Sequence, residues 1–220
     1  MDVNKVLSQL AGSGVIGGLA GGALGGALVG NKKARKTAGT LLKAGGIAAV
    51  GTLAWKAYQG YQQDKGAADA GPQGQQPGTA IDPAWQALPQ QGFTTSVQRD
   101  STALLILKAM IAAAAADGHL DSEEHARVMA RAGTMDLSAQ DKALVFDALQ
   151  SPLSLHALSE QIDCPEVASE VYVASALVLD PDNAQGRLYL EALAFRLGIP
   201  EGLALRLQQQ ALAAPEVAAA

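Results

Sequence analysis

The sequence is poor in the residues that do chemistry. It has one cysteine, Cys164, and three histidines in 220 residues. A lone cysteine forms no internal disulfide and no thiolate metal centre, so it leaves the redox compartment open. There is no HExxH pair, no Ser or Cys nucleophile beside a placed base, and no phosphate-binding glycine loop after a strand pattern. Gly12, Gly14 and Gly17 match GxGxxG in spacing, but no strand precedes them, which rules out a dinucleotide site. The expectation is a non-enzyme. A carboxylate-based hydrolase is the enzymatic alternative, and it needs a cleft and a tuned acid that the sequence does not display.

Charge is scarce as well, at 17% against 49% hydrophobic residues. What charge there is divides unevenly. Residues 1–97 hold eight Lys/Arg and four Asp/Glu, a net +4; residues 98–220 hold eight and seventeen, a net −9. A basic front and an acidic back imply two parts with different surroundings. The acidic part lacks the basic footprint that phosphates need, so nucleic acid is not an expected partner.

Glycine is abundant, and it is concentrated. Leu10–Gly30 contains nine glycines and one polar side chain, Ser13, in 21 residues. As a helix it reaches roughly 30 Å, the thickness of a bilayer core. Gly17, Gly21 and Gly25 repeat every four residues, and so do Gly18, Gly22 and Gly26. Both rows share one helical face, a small-xxx-small pattern that lets a second helix backbone approach closely. A Gly/Ala linker would carry more Ser and polar residues than this stretch does. A cleaved signal peptide would end on a cleavage site, whereas here Lys32, Lys33, Arg35 and Lys36 follow. Such a cluster marks the cytoplasmic end of a span.

Ala38–Tyr58 is a second apolar stretch, with Trp55, Lys56 and Tyr58 placed like an interfacial belt. Its uncharged centre, Ala44–Trp55, is short for a clean span, so it reads as a second span or as an interfacial helix. One span puts the C-terminal domain in the cytoplasm; a two-span hairpin puts it in the periplasm. The domain division is 1–60 for the membrane segments, 61–97 for a disordered Gln/Gly/Pro linker and 98–220 for a helical domain. Trp85 and Phe93 fall within the linker and are read as solvated, with local docking as the alternative.

From residue 98 the apolar spacing is helical. Leu104, Leu107, Ile111 and Ala114 mark one helix; Asp121 with Glu124 opens another, which Gly133 stops. Ser138 caps a third, with Leu144, Val145 and Leu149 inward. A short helix is predicted over Leu155–Ile162. Pro165 starts the next, with Val167, Val171, Ala174 and Val178 inward. Asp182 or Asn183 opens the following helix, carrying Leu188, Leu190, Leu193 and Leu197, and Gly198 ends it. Pro200 begins the last. The fold class is all-α, a bundle of about seven short helices behind a glycine-rich membrane helix or hairpin.

Two acidic loops stand out, Asp117–Glu124 and Asp180–Asn183. Clustered carboxylates suit a hard divalent cation such as Ca²⁺, though the EF-hand spacing is absent. The same residues also serve as helix caps, and spacing leaves both readings open. His119 lies in the first loop; His125 and His156 are expected on helix surfaces.

The segment AAAAADGHLDSEE (Ala112–Glu124) resembles the first acidic motif of the tellurite-resistance TerB-like domains. LDPDNAQGRLYLEALAFRLGI (Leu179–Ile199) resembles the second half-repeat of an uncharacterised bacterial inner-membrane family that carries such a domain and a glycine-rich N-terminal segment. The resemblance implies two pseudo-repeated helical halves, an inner-membrane location, and a non-enzymatic role in stress response or protein contacts with divalent metal. It implies Asp117, Asp121, Glu123 and Glu124 in one half-site and Asp180 and Asp182 in the other. Where the second motif usually has Glu, this chain has Gly186. The expected partners are the membrane and a protein, or a second copy through the glycine face. The non-enzymatic alternative is a structural membrane protein whose acidic loops only cap helices.

Overall fold

The computed structural model describes residues 48–64, 83–96, 99–116 and 139–213. Within them every regular element is a helix. They are α1 (48–64), a 3₁₀ turn at Pro83–Trp85, α2 (Gln90–Ser96), α3 (Asp100–Ala116), α4 (Ala139–Gln150), α5 (Leu155–Ser159), α6 (Pro165–Val178), α7 (Ala184–Arg196) and α8 (Glu201–Ala213). The all-α expectation holds for these residues. The glycine rows, the basic cluster and the predicted helix from Asp121 lie outside them.

The centre is the pair α3 and α6, which pack against each other along their lengths. Both are buried on more than one face. On α3, Leu105, Ile106, Leu107, Met110 and Ile111 are all buried. On α6 the expected face of Val167, Val171, Ala174 and Val178 is buried, and Tyr172 and Val173 with it. A helix apolar nearly all round belongs in the middle of a bundle. Around this pair sit α8 and α2 against α6, and α7 against α5, α3 and α6. Val145, Ala148 and Leu149 face α4 inward, and Leu144 is half-buried.

Helix ends follow local chemistry. The Ser154 hydroxyl accepts from the Ala157 amide and caps α5, which stops at Ser159 rather than reaching Ile162. Pro165 occupies the first turn of α6, where a missing N–H costs nothing. Gly198, at φ +62°, closes α7: its amide donates to Phe195 O and the Ile199 amide to Ala194 O. That pair of bonds is a Schellman end, and its left-handed residue favours glycine.

Three expectations are corrected. Leu188 does not join Leu190 on the core face of α7. Two residues apart on a helix is about 200°, so they point to opposite sides. The core takes Gly186, Tyr189, Leu190 and Leu193, while Leu188 is 64% exposed.

The second correction concerns Ala38–Tyr58, expected as a second span or an interfacial helix. Its described part lies in α1, and α1 is built into the bundle. Val50, Leu53, Ala54, Ala57, Tyr58 and Tyr61 form a helical stripe, and all belong to the hydrophobic core. Trp55 and Tyr58 do not form an interfacial belt. Their rings lie 5.6 and 5.9 Å from the Phe93 ring. On the far side, Tyr61 lies over Gly202 of α8, where an added Cβ would sit 3.2 Å from a ring carbon. Arg206 Nε donates to Asp64 Oδ2 at 2.9 Å. Residues 38–47 lie outside the described residues.

The third correction is Trp85 and Phe93, expected in solvated linker. Both are buried. Tyr58 ties them in: its hydroxyl accepts from the Leu88 amide at 2.8 Å and donates to Trp85 O at 3.4 Å. Full burial of one such aromatic side chain contributes about 1.5–3 kcal/mol. Among the described residues, no helix is long and apolar enough to cross a membrane.

Candidate functional site

The second acidic loop joins α6 to α7. Asp180 Oδ1 accepts from the Asp182 amide at 3.0 Å, and Asp180 O accepts from the Asn183 amide at 3.0 Å. Asn183 is the N-cap: its Oδ1 accepts from the Gln185 amide at 2.8 Å. Arg187 Nη1 reaches back to Pro181 O and Asp182 O at 3.2 and 3.1 Å. The loop is thus closed on itself by capping bonds. Gly186 sits beneath it, where an added Cβ would stand 3.4 Å from Asp180 O and from Leu179 Cδ2. A small cavity of about 70 Å³ lies beside the loop, lined in part by Leu179, Asp180, Gly186, Leu190 and Leu212. Among the described residues, no group of three or more His, Cys, Asp or Glu side chains is placed to hold a metal ion. Asp117, Asp121, Glu123 and Glu124, with His119 and His125, lie outside those residues. His156 is on the surface as expected, its ring between Arg196 and Glu160 at 3.4 Å from each.

A second cluster was not expected. Glu170 of α6 is fully buried. Its Oε1 lies 2.5 Å from Ser96 Oγ of α2, and its Oε2 has no hydrogen-bond partner among the described residues. Burial pushes the Glu170 carboxyl up to about 8, helped by the nearby Glu166 and opposed by the Ser96 hydroxyl and Arg99. Gly92 makes room for the neighbouring Glu166: an added Cβ would lie 2.5 Å from Glu166 Oε1. The sequence carried a signal for it. Glu170 stands three residues after Val167 and four before Ala174, on the helical face already assigned to the core.

Two further hollows flank this region. One, of about 200 Å³, is bordered by Trp85, Asp163, Cys164 and Arg196. Burial pushes the Cys164 thiol up, so it is not an activated nucleophile. The other, of about 370 Å³, lies along α1 between Trp55, Gln59, Gln62 and Leu88. Ala87 at its edge adopts φ +55°, the one non-glycine residue with positive φ among those described. Neither hollow gathers an acid, a base and a nucleophile.

Comparison with known proteins gives two matches. The sequence pattern of a family described as "Protein of unknown function (DUF533)" matches residues 14–211. An "Uncharacterized protein in ampR 5'region" of Yersinia enterocolitica is 32% identical over 96 residues, which is 44% of this chain and 69% of that protein. No solved structure matches.

Proposed function

We propose that this chain, which belongs to the DUF533 family of proteins of unknown function, is a membrane-tethered, non-enzymatic interaction module. The observation that carries the reading is the place of α1. The helix that follows the glycine-rich stretch and the basic cluster is part of the core of the helical domain. A tether at Leu10–Gly30 would therefore lead into a helix that is packed in the domain from residue 48 onward. Because 48–58 is occupied in the core, this reading favours a single span. Lys32, Lys33, Arg35 and Lys36 then place the domain on the cytoplasmic side of a bacterial inner membrane. The glycine face offers a contact for a second copy or another membrane helix. The TerB-like resemblance draws support from sequence placement: α6 ends just before the acidic segment at Asp180, and α3 ends at Ala116, just before the acidic sequence that begins at Asp117. Burial seals the one described carboxyl with a raised pKa, Glu170, from any substrate, which weighs against the hydrolase alternative.

Alkaline washing of membranes from cells making the full chain tests the tether. The chain should stay with the membrane, and deletion of residues 10–30 should release it. Release of the full chain would sink the proposal. A reporter fused after Ala220 should be active in the cytoplasmic format alone.

A divalent-cation role, Ca²⁺ foremost, is the second reading. The bonds that close Asp180–Asn183 favour capping at that loop. Calorimetry of the full chain with Ca²⁺, Mg²⁺ and Mn²⁺ separates the two. Binding that Asp117→Ala with Asp180→Ala abolishes would establish the cation reading.

A further inference from the structure

The contact between Ser96 and Glu170 raises a counting problem. The Ser96 hydroxyl has one proton and two acceptors within reach: Glu170 Oε1 at 2.5 Å and Phe93 O at 3.2 Å. A protonated Glu170 solves it. The carboxyl donates to Ser96 Oγ, and Ser96 donates to Phe93 O. An ionised Glu170 takes the Ser96 proton for itself. Phe93 O then loses the Ser96 hydroxyl, and a full charge sits in the interior with no hydrogen bond to Oε2 among the described residues. Buried charge without partners is among the costliest arrangements a fold can hold.

We propose that Ser96 and Glu170 form a proton-dependent latch: α2 stays docked on α6 while Glu170 keeps its proton, and loosens when the proton is lost. The latch reaches further than α2. Phe93, one turn before Ser96 on α2, is the residue on which Trp55 and Tyr58 of α1 pack. Loosening α2 therefore loosens the seat of α1, and so the attachment of the N-terminal part of the chain to the domain.

The charged groups acting on Glu170 are Glu166, on its own helix, and Arg99, in the turn before α3. They act in opposite directions. α2 meets it with the neutral Ser96. α8 meets α6 through Gln208 and Tyr172, and α7 brings Tyr189. Burial pushes both phenols up, Tyr189 to about 12, so they stay neutral where the latch operates. Glu170 itself changes state near pH 8.

The two tryptophans of the chain, Trp55 and Trp85, both lie at this flank, so intrinsic fluorescence reads it directly. The full chain in detergent is titrated from about pH 6 to about pH 9.5, with far-ultraviolet circular dichroism followed alongside. The expected result is a red shift of emission with a one-proton midpoint and no loss of helix signal. Glu170→Gln should abolish the shift, because its amide donates to Ser96 at every pH. Ser96→Ala should move the midpoint up, since it removes a donor to the carboxylate. Cys164→Ser should leave the transition in place. No shift in the wild type overturns the latch. So does the same shift in Glu170→Gln, an unmoved midpoint in Ser96→Ala, or loss of the transition in Cys164→Ser. If Glu170→Gln does not fold, the Ser96→Ala midpoint still decides.

Discussion

The middle of the molecule and its N-terminal flank are held together in different ways. In the middle, α3 and α6 meet through aliphatic side chains such as Ile106, Met110, Val171 and Val178. Such packing is non-directional, and many residues share the load. At the flank, the apolar stripe of α1 is joined by a few aromatic rings and by specific polar contacts: Tyr58 to Trp85 and Leu88, Ser96 to Glu170, Asp64 to Arg206. A centre built the first way degrades gradually as contacts are removed. A flank built the second way depends on single residues and on a single proton.

The largest expected effect tests whether the flank is truly core. Phe93→Ala should cost about 3–5 kcal/mol in urea unfolding, as for other fully buried aromatic truncations. A loss below about 1 kcal/mol would show that α1 and α2 rest on the bundle without stabilising it. Ile106→Ala, in the middle, should cost about 2–5 kcal/mol and leave tryptophan emission unchanged.

The next comparison uses pH. The Glu170 carboxyl is raised from an ordinary 4.5 to about 8 in the folded protein. The folded state therefore holds a proton that the unfolded state releases. The stability this contributes is fully present below about pH 4.5 and is lost progressively up to about pH 8. Unfolding of wild type and Glu170→Gln, compared across that window, should show wild type losing stability relative to the variant. Parallel curves would mean that Glu170 is ionised in the native protein.

Smaller effects belong to the surface. Asn183→Ala removes the cap of α7 and should cost about 1 kcal/mol. If capping is its whole role, the cost is the same in millimolar Ca²⁺ and in chelator. Arg206→Ala breaks an exposed pair with Asp64 and should cost less than about 1 kcal/mol, diminishing further in high salt. A larger loss there would move α1 toward the polar, single-residue style of attachment.

The same contrast explains what could be read in advance. The aliphatic middle announces itself through period: Val167, Val171, Ala174 and Val178 recur at helical spacing, and Pro165, Asn183 and Gly198 mark ends by residue type alone. The short α2 has no such period. Phe93 stands among Gln, Gly and Thr, and its burial depends on Trp55 and Tyr58, more than 30 residues earlier in the chain. Nothing within a local window distinguishes that phenylalanine from one in a linker. Leu188 failed for the opposite reason. It is a leucine among leucines, and only its phase relative to Leu190 and Leu193 gives away its exposure. Glu170 was legible by phase as well, as a carboxylate on a face that otherwise holds valine and alanine. Of the acidic loops, capping by Asn183 was readable from residue type, while the grip of Arg187 on the loop carbonyls needed three dimensions.

The packing of α1 has a practical consequence for anyone dissecting the protein. The obvious cut, at residue 98 where the helical pattern begins, would strip the bundle of Phe93, Tyr58 and Tyr61 and bare the apolar surface they cover. A fragment made that way should be prone to aggregate, and it would mislead about the strength of the remainder. Cutting before residue 48 keeps the ring cluster, its polar anchors and the apolar stripe of α1 together.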